Sequence, residues 1–200
     1  MGDAVPRILC DYTAYLALER ETDWKHEWFD GQVYAMAGAK PAHNAVAARM
    51  IMELGRLLDG RPCDVYTSDQ KIRVLATGLA TYPDALVVCG AAEFDPEDPV
   101  AITNPRLVVE VLSGSTELYD RSTKFEHYKR IPSLCDYVLV SQHDAHVEVY
   151  SRDEGGRWLY TDAHAGERVA LPSLGGVLEL DRVYRNLTLT PPAGLRDVKG

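Results

Sequence analysis

Six residues, Leu107-Val108-Val109-Glu110-Val111-Leu112, constrain this chain more than any other segment. Entered from Asn104-Pro105 and left through Ser113-Gly114-Ser115-Thr116, the run reads as a strand buried on both faces. Alternation puts Val108, Glu110 and Leu112 on one face and Leu107, Val109 and Val111 on the other. A bare carboxylate inside such a strand is costly, so Glu110 must be protonated, paired or bound to a metal.

A second apolar run, Tyr82-Pro83-Asp84-Ala85-Leu86-Val87-Val88, carries a second acid. Pro83 lacks a ladder donor, which places Asp84 at a strand edge or bend. If the two strands are neighbours, Asp84 and Glu110 meet and can hold Mg²⁺ or Mn²⁺ through oxygen. Downstream, Asp120, Lys124 and Tyr128 stand at i, i+4 and i+8 of a helical segment and share a face, so Lys124 can point at the acids. Each member also has a plainer reading. Glu110 can serve a structural salt bridge, Asp84 can form a turn after proline, and Lys124 can be a solvated helix lysine paired with Asp120. The ordered conjunction favours a metal-assisted phosphodiesterase site.

Other candidates are weaker. His43, on the inward face in the first turn of the helix expected from Ala42 to Leu58, is either a hydrogen-bonded core histidine or a site residue. Glu27 is either a further site acid or a surface charge. His143 and His146 have ligand-like spacing, but a polar turn between strands explains them better. Trp24, Trp28 and Trp158 read as core or rim.

Asp11 to Glu21 reads as a helix with Tyr12, Tyr15 and Leu16 inward. Asp30-Gly31 between apolar runs signals a hairpin. Ala42 to Leu58 is the clearest helix, with Val46, Met50, Leu54 and Leu57 recurring on one side. Strands are expected at 64–66, 71–75, 85–88, 107–112, 137–140, 147–150 and 158–160, with a helix from Glu117 to Arg130 that stops before Pro132. The acidic, proline-containing stretch from Ala91 to Asn104 reads as an exposed connection. One domain over residues 1–190 is expected, followed by a loose tail at 191–200.

The excess of 30 acidic over 21 basic residues, a net charge of −9, argues against a protein that coats nucleic acid non-specifically. It leaves room for a nuclease, whose metal site is itself acidic. Cys10, Cys63, Cys89 and Cys135 show no Cys-x-x-Cys spacing, so a cytoplasmic protein with reduced, buried thiols is expected. No apolar run approaches membrane-spanning length, and no membrane partner is expected.

Taken in order, Glu27, Asp30-Gly31-Gln32-Val33-Tyr34-Ala35-Met36-Ala37-Gly38, His43, Tyr82-Pro83-Asp84, Val109-Glu110-Val111-Leu112-Ser113, Asp120 with Lys124 and Tyr128, and Asp136-Tyr137-Val138-Leu139-Val140 form a set. In these residues the chain resembles the Uma-two-like family, a bacterial branch of the PD-(D/E)XK nuclease superfamily, over roughly residues 10 to 187. The resemblance implies an α/β (α+β) fold, a restriction-endonuclease-like core with a central mixed β-sheet flanked by helices and added β-hairpins. It also implies that Asp84 and Glu110 are the metal-binding acids of a Mg²⁺- or Mn²⁺-dependent endonuclease. The superfamily's usual lysine two residues after the second acid is replaced here by Leu112, and the basic role moves to Lys124. Glu27 resembles the further acid of many superfamily members, and Gly114 stands where the family often has proline.

The implied partner is nucleic acid, with DNA expected over RNA, and a homodimer is a reasonable expectation for cutting two strands. Two other readings use the same residues: a nuclease fold that binds nucleic acid or protein without cutting, and a hydrolase of small phosphate esters with a closed pocket.

Overall fold

The computed structural model describes residues 8–36, 38–114 and 116–189. The tail expected at 191–200 lies outside the described residues. In chain order the elements are β1 (Ile8–Leu9), α1 (Tyr12–Glu21), β2 (His26–Phe29), β3 (Gln32–Ala35) and α2 (Pro41–Leu57). There follow β4 (Cys63–Thr67), β5 (Ile72–Val74), β6 (Leu79–Thr81), β7 (Ala85–Cys89) and β8 (Leu107–Leu112). A helix over 117–128, α3, comes next, then β9 (Asp136–Ser141), β10 (His146–Arg152), β11 (Trp158–His164), β12 (Arg168–Leu171), β13 (Gly176–Glu179) and α4 (Leu180–Val183).

Local chemistry sets several of these boundaries. Asp11 caps α1, its side chain accepting the Ala14 N–H at 2.8 Å. Asp30 and Gly31 adopt φ of 48° and 75°, the two positive values that a tight hairpin between Phe29 and Gln32 requires. Pro41 opens α2, where its missing N–H costs nothing.

The central sheet has six strands in the order β11-β10-β9-β8-β7-β4. Its β8–β9 pair is parallel and the others antiparallel, so the sheet is mixed. Five shorter strands form a second sheet, β1-β3-β2-β6-β5, and β12 and β13 form a hairpin. All six residues of β8 are buried, and its two faces diverge as the alternation predicts. Leu107, Val109 and Val111 pack with Val46, Met50 and Leu54 of α2. Val108 and Leu112 pack with Phe125 and Tyr128 of α3 and with Ile72 and Leu79 of the smaller sheet. Glu110 therefore points into the layer between the central sheet and α3.

Two expectations need correction. The connection from 91 to 104 is not a simple exposed loop, since Ile102 bridges both Ile72 and Phe94 and is fully buried. Two of its four acids, Asp95 and Asp98, are buried, and each has a partner. Asp95 accepts from the Tyr12 hydroxyl at 2.9 Å and lies 3.4 Å from Arg73, and Asp98 meets Lys71 at 2.8 Å. Asp98→Ala should therefore cost about 3 kcal/mol, since it strands a buried ammonium that Glu19 meets only at 3.6 Å. A urea titration checks this, and a loss under about 1 kcal/mol would show Lys71 content without Asp98.

The cysteines are the second correction. Cys63 and Cys89 face each other across β4 and β7 and form a disulfide, while Cys10 and Cys135 are free and half-buried. Nothing in the spacing pointed to that pair, because only the strand register brings the two together. Strands β6, β12 and β13 were also not expected. They are three or four residues long, too short to show periodicity.

Candidate active site

The β7–β8 register pairs Ala85 with Val109, so Asp84, one residue before β7, continues the ladder opposite Glu110. The Val111 N–H donates to Asp84 Oδ2 at 2.7 Å, and His43 Nε2 at the start of α2 lies 3.3 Å from the same oxygen. Across the gap, Lys124 Nζ meets Glu110 Oε1 at 2.7 Å, and the Tyr128 hydroxyl donates to that oxygen at 2.7 Å. Asp120 Oδ1 lies 3.7 Å from Lys124 Nζ. Lys124 is buried, which overturns its reading as a solvated helix lysine.

Helix α3 is shaped for this. It begins as an α-turn, Glu117–Tyr119, passes through a π-helical turn, Asp120–Lys124, and resumes as Phe125–Tyr128. In an unbroken α-helix, residues at i, i+4 and i+8 drift by about 40° per step. The wider π turn rotates less per residue and offsets that drift, so Asp120, Lys124 and Tyr128 all face inward. The Tyr137 hydroxyl donates to the Asp120 carbonyl at 2.9 Å, pinning the wide turn to β9.

Glu27 is buried in β2 and is not a surface charge. The Thr81 hydroxyl donates to its Oε2 at 2.6 Å, and the Tyr119 phenol donates to its Oε1. Sequence reasoning missed Thr81 and Tyr119. Tyr119 immediately precedes Asp120, which was the one available signal.

The electrostatics follow from four carboxylates (Glu27, Asp84, Glu110 and Asp120) around Lys124, with His43 at the edge. Burial, with Asp120 and Asp84 adding repulsion, pushes Glu110 up to about 8 against the pull of Lys124. Burial also raises Asp120, and the charges of Asp84 and Glu27 add to the effect. Burial would strip Lys124 of its proton, but Glu110, Glu27 and Asp120 outweigh it and hold the ammonium charged. For His43 burial again opposes the charge, and the hydrogen bond and charge of Asp84 win, raising it. All four shifts express one imbalance: the site carries more negative charge than its own cations offset.

That imbalance tests the donor set for a divalent cation. Asp84 Oδ2 and Glu110 Oε1 are committed to protein donors, while Asp84 Oδ1 and Glu110 Oε2 have no hydrogen-bond partner among the described residues. Both acids line a cleft of about 1560 Å³. Hard carboxylate oxygens, an uncompensated negative charge and room for water fit Mg²⁺ or Mn²⁺, which bind through one or two carboxylates and keep several waters.

The cleft joins the predicted residues at its floor to a rim that includes Trp24, Lys25, Tyr34 and Lys40. Trp24 is 70% exposed and Tyr34 42%. His143 lies in the β9–β10 turn and lines the cleft, whereas His146 belongs to β10 and faces His164 on β11, away from it. The structure thus gathers Glu27, His43, Asp84, Glu110, Asp120, Lys124 and Tyr128, and leaves His146 out.

Comparisons with known proteins bear on the family and the fold. An uncharacterized protein of Synechocystis sp., slr1290, is 41% identical over 176 residues, covering 86% of this chain and 90% of its own length. A second from the same organism, sll1609, is 33% identical over 152 residues, covering 74% of this chain and 84% of its own. The fold is similar to the crystal structure of a "putative nuclease belonging to DUF820" from Anabaena variabilis, with a TM-score of 0.66 and 13% identity over 82% of this chain and 91% of that one. Residues 12–183 match the Uma2 family, described as "Putative restriction endonuclease", and with nearly the whole described chain inside that match, the protein is a member of the Uma2 family.

Proposed function

We propose that this protein is a metal-dependent endonuclease that hydrolyses phosphodiester bonds of DNA, with Asp84 and Glu110 as its metal-binding acids. One observation carries the reading. Two carboxylates stand opposite each other across β7 and β8, at the floor of a wide cleft, with a buried lysine 2.7 Å from one of them. Bound there, Mg²⁺ or Mn²⁺ lowers the pKa of a coordinated water and neutralises charge on the scissile phosphate.

The chain's own residues do the rest. The Val111 N–H and His43 orient Asp84 through Oδ2, and Tyr128 and Lys124 hold Glu110 through Oε1. Each acid keeps its second oxygen for the cation. An ammonium has three donors, of which Glu110 uses one, so Lys124 retains donors for a phosphoryl oxygen or the attacking water. Glu27 and Asp120 keep that ammonium charged. At the rim, Trp24 and Tyr34 offer faces for base stacking, and Lys40 offers positive charge to the backbone, while Lys25 is paired with Asp69. At about 1560 Å³ the cleft is larger than the usual range for small-ligand sites, which favours a polymer over a small phosphate ester.

Incubating supercoiled plasmid, single-stranded DNA and RNA with the protein in Mg²⁺, Mn²⁺ or EDTA tests the proposal. Nicking or linearisation of the plasmid with metal and none with EDTA is expected. Intact substrate under every metal, with no stabilisation of the protein by Mg²⁺ or Mn²⁺, would instead favour a nuclease fold that binds without cutting.

The raised Glu110 adds a sharper expectation. Below about 8 the cation must displace a proton from Glu110, so its affinity should rise up to about tenfold per pH unit and level off above about 8. Calorimetry in buffers of different ionisation enthalpy reads the released proton directly. Glu110→Gln should release none, and equal release from wild type and variant would move the titrating group elsewhere.

A further inference from the structure

A second cluster of chemistry-bearing residues lies outside the cleft. Strands β10 and β11 pair His146 with His164 and Glu148 with Asp162, so these four side chains project from one face of the two strands. His146 Nε2 lies 3.0 Å from Asp162 Oδ2, and His164 Nε2 lies 3.5 Å from the same oxygen. The two imidazoles are parallel, 5° apart in plane and 4.3 Å between centroids. Among the described residues this is the one group of three His, Cys, Asp or Glu whose ligand atoms all lie within 4.8 Å of one another.

We infer that His146 Nε2, His164 Nε2 and Asp162 Oδ2 form a binding site for a divalent transition ion of the Zn²⁺ class. Zn²⁺ bonds nitrogen and carboxylate oxygen at about 2.0–2.1 Å, so neighbouring ligands of a tetrahedron stand about 3.3–3.4 Å apart. The two His–Asp separations, 3.0 and 3.5 Å, straddle that edge, and the stacked rings must turn for both Nε2 lone pairs to converge on one ion. Two imidazoles and one carboxylate select Zn²⁺, Co²⁺, Ni²⁺ or Cu²⁺ over Mg²⁺, the opposite preference to the all-carboxylate floor of the cleft.

Glu148 stands behind His146, buried and gripped at both oxygens by the Arg121 guanidinium at 2.5 and 2.6 Å. Its Oε1 lies 3.8 Å from His146 Nδ1, beyond hydrogen-bond reach, and acts on the ring as a fixed nearby negative charge. With three protein ligands, a fourth position stays open to water or an anionic oxygen.

The site is separate from the cleft. Across the sheet, Glu110 pairs with Leu139, Leu139 with Glu148 and Glu148 with Asp162, three strand spacings or about 14 Å. Its occupancy can therefore be read without reference to cleavage.

Untagged protein should be loaded with Zn²⁺, dialysed and analysed for metal, with affinities taken from competition against a chromophoric chelator. One equivalent is expected in wild type, weakened at least about 100-fold in His164→Ala and changed less than about threefold in Asp84→Asn. His164 is 61% exposed at its side chain, so the alanine should fold, and circular dichroism checks that it does. Co²⁺ in place of Zn²⁺ should give the visible bands of a four-coordinate site in wild type and lose them in His164→Ala. Zinc bound equally well by His164→Ala, zinc lost only in Asp84→Asn, or no zinc retained by wild type would each overturn the assignment. The last outcome would leave a hydrogen-bonded histidine pair that merely stabilises the hairpin.

Discussion

Glu110→Gln should abolish metal-dependent cleavage, by on the order of 10³-fold or more, while leaving the protein folded. The substitution keeps the shape of the side chain, and Tyr128 can still donate to a carbonyl oxygen where Oε1 now stands. What it removes is the carboxyl that faces Asp84 across β7 and β8 and gives up its proton, gaining charge, when a cation binds. Without that charge the site has one acid oxygen fewer for a cation and less reason to attract one. Comparing single-turnover cleavage of plasmid by wild type and variant, each confirmed folded by its thermal transition, decides the matter. Activity within tenfold of wild type would remove Glu110 from the reaction and leave it as a structural partner of Lys124.

Lys124→Met should have the largest effect on stability, and the effect should depend on pH. Methionine fills much of the same volume but leaves Glu110 without its counter-charge in a fully buried layer, a loss of about 3–5 kcal/mol when the carboxylate is ionised. Glu110 is an acid whose folded-state pKa is raised, so the folded state holds a proton that the unfolded state has released. Stability from such a group falls as pH rises from the unfolded value of 4.5 through about 8. Lys124 opposes that rise, and removing it pushes Glu110 higher still. Both folded states hold the Glu110 proton below about pH 7 and share one slope there, so the gap between wild type and Lys124→Met should be constant in that range. It should widen only above about pH 8, where wild type ionises Glu110 and the variant does not. Urea titrations across that range test this, and a gap that stays constant with pH would show that Lys124 does not balance the charge of Glu110.

The parts of this molecule that could be read in advance are those with a strong period or a strong conflict. Val46, Met50 and Leu54 recur at helical spacing, and α2 begins and ends within one residue of the expected range. The run from Leu107 to Leu112 is apolar on both sides, and β8 has those bounds. Glu110 stood out because its charge contradicts its surroundings, and the structure brings it together with Asp84 and Lys124. What escaped depends on partners distant in the chain. The ladder that joins Cys63 to Cys89 or His146 to His164 exists only once strands are in register. The burial of Asp95 and Asp98 depends on Tyr12, Arg73 and Lys71, none of them a neighbour in sequence. The π turn in α3 is invisible to a periodicity argument that assumes one helical pitch throughout.

The two-sided burial of β8 also bears on how the chain finds its fold. A strand that is apolar on both faces carries little information about which way it should face, and a one-residue slip against β7 or β9 would bury its aliphatic side chains almost as well. Glu110 breaks that degeneracy. In a slipped register its carboxylate would land among Val46, Met50 and Leu54, away from Lys124 and Tyr128. The acid proposed as a metal ligand thus also serves as a register lock, and one side chain answers both to the site and to correct strand pairing.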